Sequence, residues 1–151
     1  MIKYKKFQFG WMIVIIFLMV MVWTTLAFMH QWGKNPIKKD GYIFIIILFC
    51  GLLSGFYGKT IIVTEKQIKI RFGIGFYTKI IDLSDISSVN ITKYPVYFGY
   101  GIRLLSNGLL YNVSGRHAIE IKLKNKKNII QIGSNDWIRL KETIERCINI
   151  K

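Results

Sequence analysis

Residues Trp11 to Met29 read WMIVIIFLMVMVWTTLAFM, nineteen in a row without a charge. Coiled as an α-helix at about 1.5 Å per residue they reach roughly 28 Å, close to the hydrocarbon thickness of a bilayer. After the connector His30 to Asp40 comes a second uncharged run, Gly41 to Gly58, GYIFIIILFCGLLSGFYG. It lies near the lower bound for a span, a length that local thinning or a neighbouring helix accommodates. One such run could be the core helix of a soluble protein. Two of them in the first 58 residues of a 151-residue chain read as a transmembrane helical hairpin over residues 1–58, with spans at about 11–29 and 41–58.

Working outward, the connector HQWGKNPIKKD has a turn signal at Asn35-Pro36 and is too short for a domain. Lys3, Lys5 and Lys6 precede the first span and Lys59, Lys66, Lys69 and Arg71 follow the second, against Lys34, Lys38 and Lys39 between them. That bias predicts a multi-pass protein of the cell membrane with both termini cytoplasmic. Thr25-Leu26-Ala27 weakly imitates a signal-peptide cleavage site, but cleavage there would still leave the C-terminal part cytoplasmic. Asn90-Ile91-Thr92 and Asn112-Val113-Ser114 are glycosylation sequons only on the other side of a membrane. Gly51 and Gly55 form a GxxxG on the second span. Small residues one turn apart let helix backbones approach, here within the hairpin or, less favoured, in a homo-oligomer. Neither span contains Asp, Glu, Lys or Arg, so the groups that mark an ion or proton path are missing.

The chain is 52% apolar with a net charge of +14, and residues 59–151 hold 16 of its 22 basic and 7 of its 8 acidic residues. For a basic domain tethered beside a bilayer, an anionic leaflet is a nearer partner than nucleic acid. Cys50 and Cys147 show neither disulfide nor zinc spacing. Asp82 and Asp85 read as turn and cap residues, and His30 and His117 have no nucleophile motif beside them. Gly73-Ile74-Gly75 and Gly99-Tyr100-Gly101 read as turns, because neither opens a helix after a strand. No catalytic residue, cofactor or metal ligand is expected; a small-molecule ligand is neither indicated nor excluded.

Past Gly58 the pattern turns from continuous to alternating. Strands are predicted at 60–64, 68–72, 76–82, 88–92, 102–105, 109–113, 118–123 and 128–132, joined by short turns. Alternation is cleanest in Ile68-Lys69-Ile70-Arg71-Phe72 and Ile119-Glu120-Ile121-Lys122-Leu123. Over 136–148, Trp137, Leu140, Ile144 and Ile148 recur at helical spacing behind Ser134 and Asn135, which can cap the helix. Residues 59–151 are therefore a mainly-β cytoplasmic domain closed by one amphipathic helix.

The segments Asp82-Leu83-Ser84-Asp85-Ile86-Ser87-Ser88-Val89, Tyr100-Gly101-Ile102-Arg103, Ser114 to Ile121 and Ile129-Ile130-Gln131-Ile132-Gly133-Ser134 leading into a helix resemble the bacterial pleckstrin-homology-like (PH-like) domains found behind short transmembrane hairpins. The resemblance covers nearly all of residues 59–150. It implies an antiparallel sandwich or open barrel of about seven strands capped by one C-terminal helix, with a binding or scaffolding role rather than catalysis. An accessory subunit of a larger membrane complex is the alternative. Lys66, Lys69 and Arg71 resemble a headgroup-binding pattern, and their plainer reading is a solvated strand face.

If the strands form a simple meander, turns alternate between the membrane end and the far end. Ile74, Phe76, Tyr94, Tyr97, Phe98, Tyr100 and Trp137 then return toward the bilayer, where aromatic rings favour the headgroup zone. Lys124, Lys126 and Lys127 face away, available to a cytoplasmic partner, and their plainer reading is solubility.

Overall fold

The computed structural model describes residues 1–93, 101–113, 115–124 and 128–149. Among them the chain folds as β1 (Ile2–Phe9), α1 (Trp11–Met29), α2 (Lys39–Phe56), β2 (Gly58–Thr64), β3 (Gln67–Phe72), β4 (Tyr77–Asp82), a single 3-10 turn (Leu83–Asp85), β5 (Ile86–Lys93), β6 (Gly101–Leu105), β7 (Gly108–Asn112), β8 (His117–Leu123), β9 (Ile129–Gly133) and α3 (Trp137–Asn149).

α1 and α2 are apolar enough and long enough to cross a membrane. They pack through Phe17 on Phe49 (5.4 Å) and a parallel stack of Phe28 on Tyr42 (4.4 Å). Their hydroxyls find partners within the pair: Thr24 and Thr25 donate to the Val20 and Met21 carbonyls one turn back, Ser54 donates to the Gly51 carbonyl, and the Thr25 and Tyr42 hydroxyls share a bond of 3.3 Å between the helices. Only 11% and 6% of their most apolar windows are buried, whereas a core helix would be largely covered.

The boundary expected at residue 58 does not hold, because β1 lies on the other side of the helical pair and belongs to the sheet. It runs antiparallel to β2, with Phe9 opposite Gly58 and Gln8 opposite Lys59. In IKYKKFQF the lysines look like a cationic flank, but Tyr4 and Gln8 turn inward from a strand. The ladder continues into the helices through the Gly10 N–H, which donates to the Tyr57 carbonyl at 2.9 Å. Both ends of the helical hairpin are thus held by neighbouring strands. Removal of the chain up to Ala27 would take β1 away.

Two sheets result, one of four strands in the order β1-β2-β3-β4, one of five in the order β5-β8-β9-β7-β6. All eight strands expected after the hairpin are present, so that with β1 the sandwich exceeds the seven of the resemblance. A simple meander is not what they form: β7 pairs parallel to β9, with Tyr111 opposite Ile132. The expectation of an all-antiparallel sandwich is corrected by that one pair. The end-to-end alternation survives, since each connection still reverses the chain. Gly58, the 73–75 turn, Tyr111, His117 and Gly133 gather at the hairpin end, while Gln67, Asp82, Asp85, Gly108 and Leu123 gather at the far end.

The core lies between the sheets. Ile61, Ile70 and Phe72 from one meet Tyr111, Ile119 and Ile132 from the other, and Leu140, Ile144 and Cys147 of α3 close it. α3 starts at Trp137, one residue beyond the sequence expectation; the Ser134 hydroxyl accepts from the Asp136 N–H at 3.1 Å as the chain turns into it.

Candidate functional site

The hairpin end of the sandwich carries the most unusual chemistry. β2 alternates with Lys59, Ile61 and Val63 inward, so the lysine two residues past the α2 cap enters the core and is fully buried. Its Nζ crosses to the second sheet and donates to the Tyr111 carbonyl at 2.9 Å and the Gly133 carbonyl at 2.6 Å, on neighbouring strands β7 and β9. Burial pulls the Lys59 amine down to about 7, because a charged ammonium inside the core loses its water. Gln8, opposite Lys59 in the ladder, makes a second tie. With its amide turned to the orientation that satisfies both atoms, its nitrogen donates to the Gly133 carbonyl at 3.1 Å and its oxygen accepts from the Asn135 N–H at 2.6 Å. Beneath them the Tyr77 and Tyr111 hydroxyls share a hydrogen bond of 3.1 Å, and burial followed by that bond raises the Tyr111 hydroxyl.

The β3–β4 turn sits beside this junction. Gly73 has φ of +52°, its N–H donates to the Gly58 carbonyl at 2.8 Å and the next N–H donates to the Ser54 carbonyl at 3.3 Å. A side chain on Gly73 would run into the Ser54 and Gly55 carbonyls. The turn therefore fits under the end of α2, with Ile74 and Phe76 left 67% and 70% exposed next to the helices. Phe76 lies against Phe56 (5.9 Å) and covers Gly55.

Gly55 is buried, but by that turn and not by α1, while Gly51 faces open space. The expected packing of these glycines on the first span is not formed, because Gly55 looks toward the turn and Gly51 has no neighbour within 4 Å. Trp137 stands at the hairpin end, half-buried and stacked on His117 at 5.2 Å. Tyr94, Tyr97, Phe98, Tyr100, Lys126 and Lys127 lie outside the described residues.

The basic residues of β3 do not converge. Lys66 is in the far turn, Lys69 on the outer strand face, and Arg71 at the hairpin end, where its guanidinium donates to the Ile74 carbonyl at 2.5 Å. Lys124 is exposed at the far end, its N–H donating to the Asp85 carbonyl at 2.8 Å. Between the sheets at that end a cleft of about 330 Å³ is walled by aliphatic side chains, with Lys79, Asp82, Asp85 and Asn128 at its margin. Among the described residues, no three His, Cys, Asp or Glu side chains come together as a metal site would need.

Sequence reasoning missed Lys59 as anything but a flanking charge. The signal was its parity, since 59, 61 and 63 share one face and the latter two are apolar. Compared with models of known families, with curated proteins and with solved structures, the chain matches none.

Proposed function

We propose that this chain is a two-span protein of the cell membrane whose β domain, PH-like in kind, sits on the cytoplasmic surface and binds or scaffolds there without covalent chemistry. The observation that carries the reading is the β1–β2 clamp. It sets the sandwich at one end of an uncovered apolar helix pair, where the Gly73 and Ile74 N–H bonds to Gly58 and Ser54 hold the exposed Ile74 and Phe76 beside the helices.

Aromatic residues at both ends of the pair support it. Phe9 meets Trp11 (4.8 Å) and Tyr57 (6.4 Å) at the sheet end, and Trp23 meets Trp32 (5.3 Å) toward the connector. Rings of this kind favour the two headgroup zones. Locally satisfied helix hydroxyls suit a solvent with no water. The surplus of cations on the sheet side of the helices suits a cytoplasmic leaflet. The open Gly51 face favours, as a second reading, an accessory subunit that receives another helix there.

The test uses the full chain in bilayer nanodiscs, with Cys50→Ser and Cys147→Ala so that a single fluorophore can be placed on Ile74→Cys or Ser106→Cys. Quenchers carried on lipid headgroups should quench the label at 74 and leave that at 106 bright. Equal quenching at both would end the lipid-facing reading.

A further inference from the structure

The Lys59 junction lies inside the sandwich and does not depend on what the domain binds. A lysine with no carboxylate beside it is rarely buried completely. Here the amine meets two acceptors, both backbone carbonyls, among the described residues. A neutral amine has two N–H donors and matches them; an ammonium carries a third donor and a full charge, both costly at a fully buried position.

Among the described residues, the charged and titratable groups around it supply no counter-ion, and α3 turns Leu140, Ile144 and Cys147 into the same core. On β1 the neutral Gln8 is opposite, and Lys6, farther along the same face, reaches Asp136 at 4.0 Å. β3 offers Phe72 opposite, with Ile70 and Ile68 beyond it. β7 and β4 offer the Tyr111–Tyr77 pair, β8 offers His117, whose ring is engaged with Trp137, and Tyr57 caps α2. Tyr4 on β1 is held up by burial and then by Asp136.

The place matters as much as the chemistry. Lys59 belongs to the sheet that holds both helices, and the two carbonyls belong to the other sheet, just before the turn into α3. We infer that Lys59 is a proton-operated latch: as a neutral amine it ties the helix-bearing sheet to β7 and β9, and on taking up a proton it loosens that tie and frees the second sheet and α3 to shift against the helices. The burial that brings its titration to about 7 sets the switch within the range of cellular pH.

The experiment is amide hydrogen exchange on the full chain in nanodiscs from pH 6 to 8.5, each rate divided by its intrinsic rate at that pH. Protection of the 111–113 and 132–135 segments is expected to fall about tenfold on acidification, and Lys59→Met and Lys59→Gln should abolish the pH dependence. Unchanged protection in the natural chain would overturn the latch, as would a pH response that both variants keep. If neither variant folds, the Lys59 Nζ resonance decides it in the natural chain. A titration midpoint near that of the exchange change supports the latch, and a midpoint in the ordinary lysine range overturns it.

Discussion

Replacing Gly73 with alanine tests whether the β3–β4 turn is built against the end of α2. At φ of +52° an alanine carries a left-handed penalty of about 1–2 kcal/mol. Its methyl would also meet the Ser54 and Gly55 carbonyls, which belong to helix backbone and do not yield as a side-chain tip would. The turn must then move away and give up the bonds from Gly73 N–H to Gly58 (2.8 Å) and Ile74 N–H to Ser54 (3.3 Å), at about 1 kcal/mol each. The sum is about 3–4 kcal/mol, which at about 4–8 °C per kcal/mol for a domain of roughly 100 residues lowers the melting temperature by roughly 12–30 °C. Gly51→Ala is the control. Nothing stands within 4 Å of its new methyl, and alanine favours helix by up to about 1 kcal/mol. Heating the full chain in mild detergent, followed by near-ultraviolet circular dichroism, compares the two. Gly73→Ala melting within about 2 °C of the natural chain, on the same size scaling, or Gly51→Ala falling as far, would refute the fitted turn.

Four further outcomes follow from the packing. Because the Lys59 amine titrates at about 7 when folded and at 10.5 when free, the unfolded chain holds the extra proton between those values. Stability should therefore rise with pH from 7 toward 10.5, by up to about 1.4 kcal/mol per unit, and flatten below 7; denaturant titrations of Lys59→Met should lack that slope. Deleting residues 2–9 removes β1 from the β2 edge, and size-exclusion chromatography in detergent should show aggregate in place of a single folded species. Tyr77→Phe takes the partner from the buried Tyr111 hydroxyl and should cost about 1–3 kcal/mol in the same unfolding assay. Ile144→Ala empties a fully buried position of α3 under the sandwich and should cost about 2–5 kcal/mol.

The elements that the sequence makes legible are those with a local signal. Trp11–Met29 is found to the residue because hydropathy alone defines it. The run Ile68 to Phe72 is found because one face must be apolar and the other wet. β1 is hidden because it carries three lysines in eight residues and ends against a helix, so its partner lies some fifty residues away in sequence. No local pattern reports such a pairing. The parallel β7–β9 pair is hidden for the same reason: turn chemistry predicts neighbours in sequence, and β8, which follows β7 in the chain, lies on the other side of β9.

At the candidate site, parity places Ile74, Phe76 and Trp137 at the hairpin end because every connection reverses the chain, whatever the order within the sheet. What parity cannot give is a three-dimensional tie such as Lys59 to Tyr111 and Gly133, which joins residues 52 and 74 apart in the chain. Nor could the GxxxG spacing say which neighbour Gly55 meets. It is Phe76, from a turn the helix pair does not contain.

In the proposed topology α1 and α2 cross a bilayer, with the sandwich on one side and the connector on the other. The most direct measurement places a single cysteine at Lys34, in the connector, or at Lys66, in the far turn, of the full chain lacking Cys50 and Cys147, and exposes intact cells to a membrane-impermeant maleimide. Position 34 should react in intact cells, and position 66 only after permeabilisation. Labelling of both from the same side, or recovery of the protein in the supernatant without detergent, would rule that topology out.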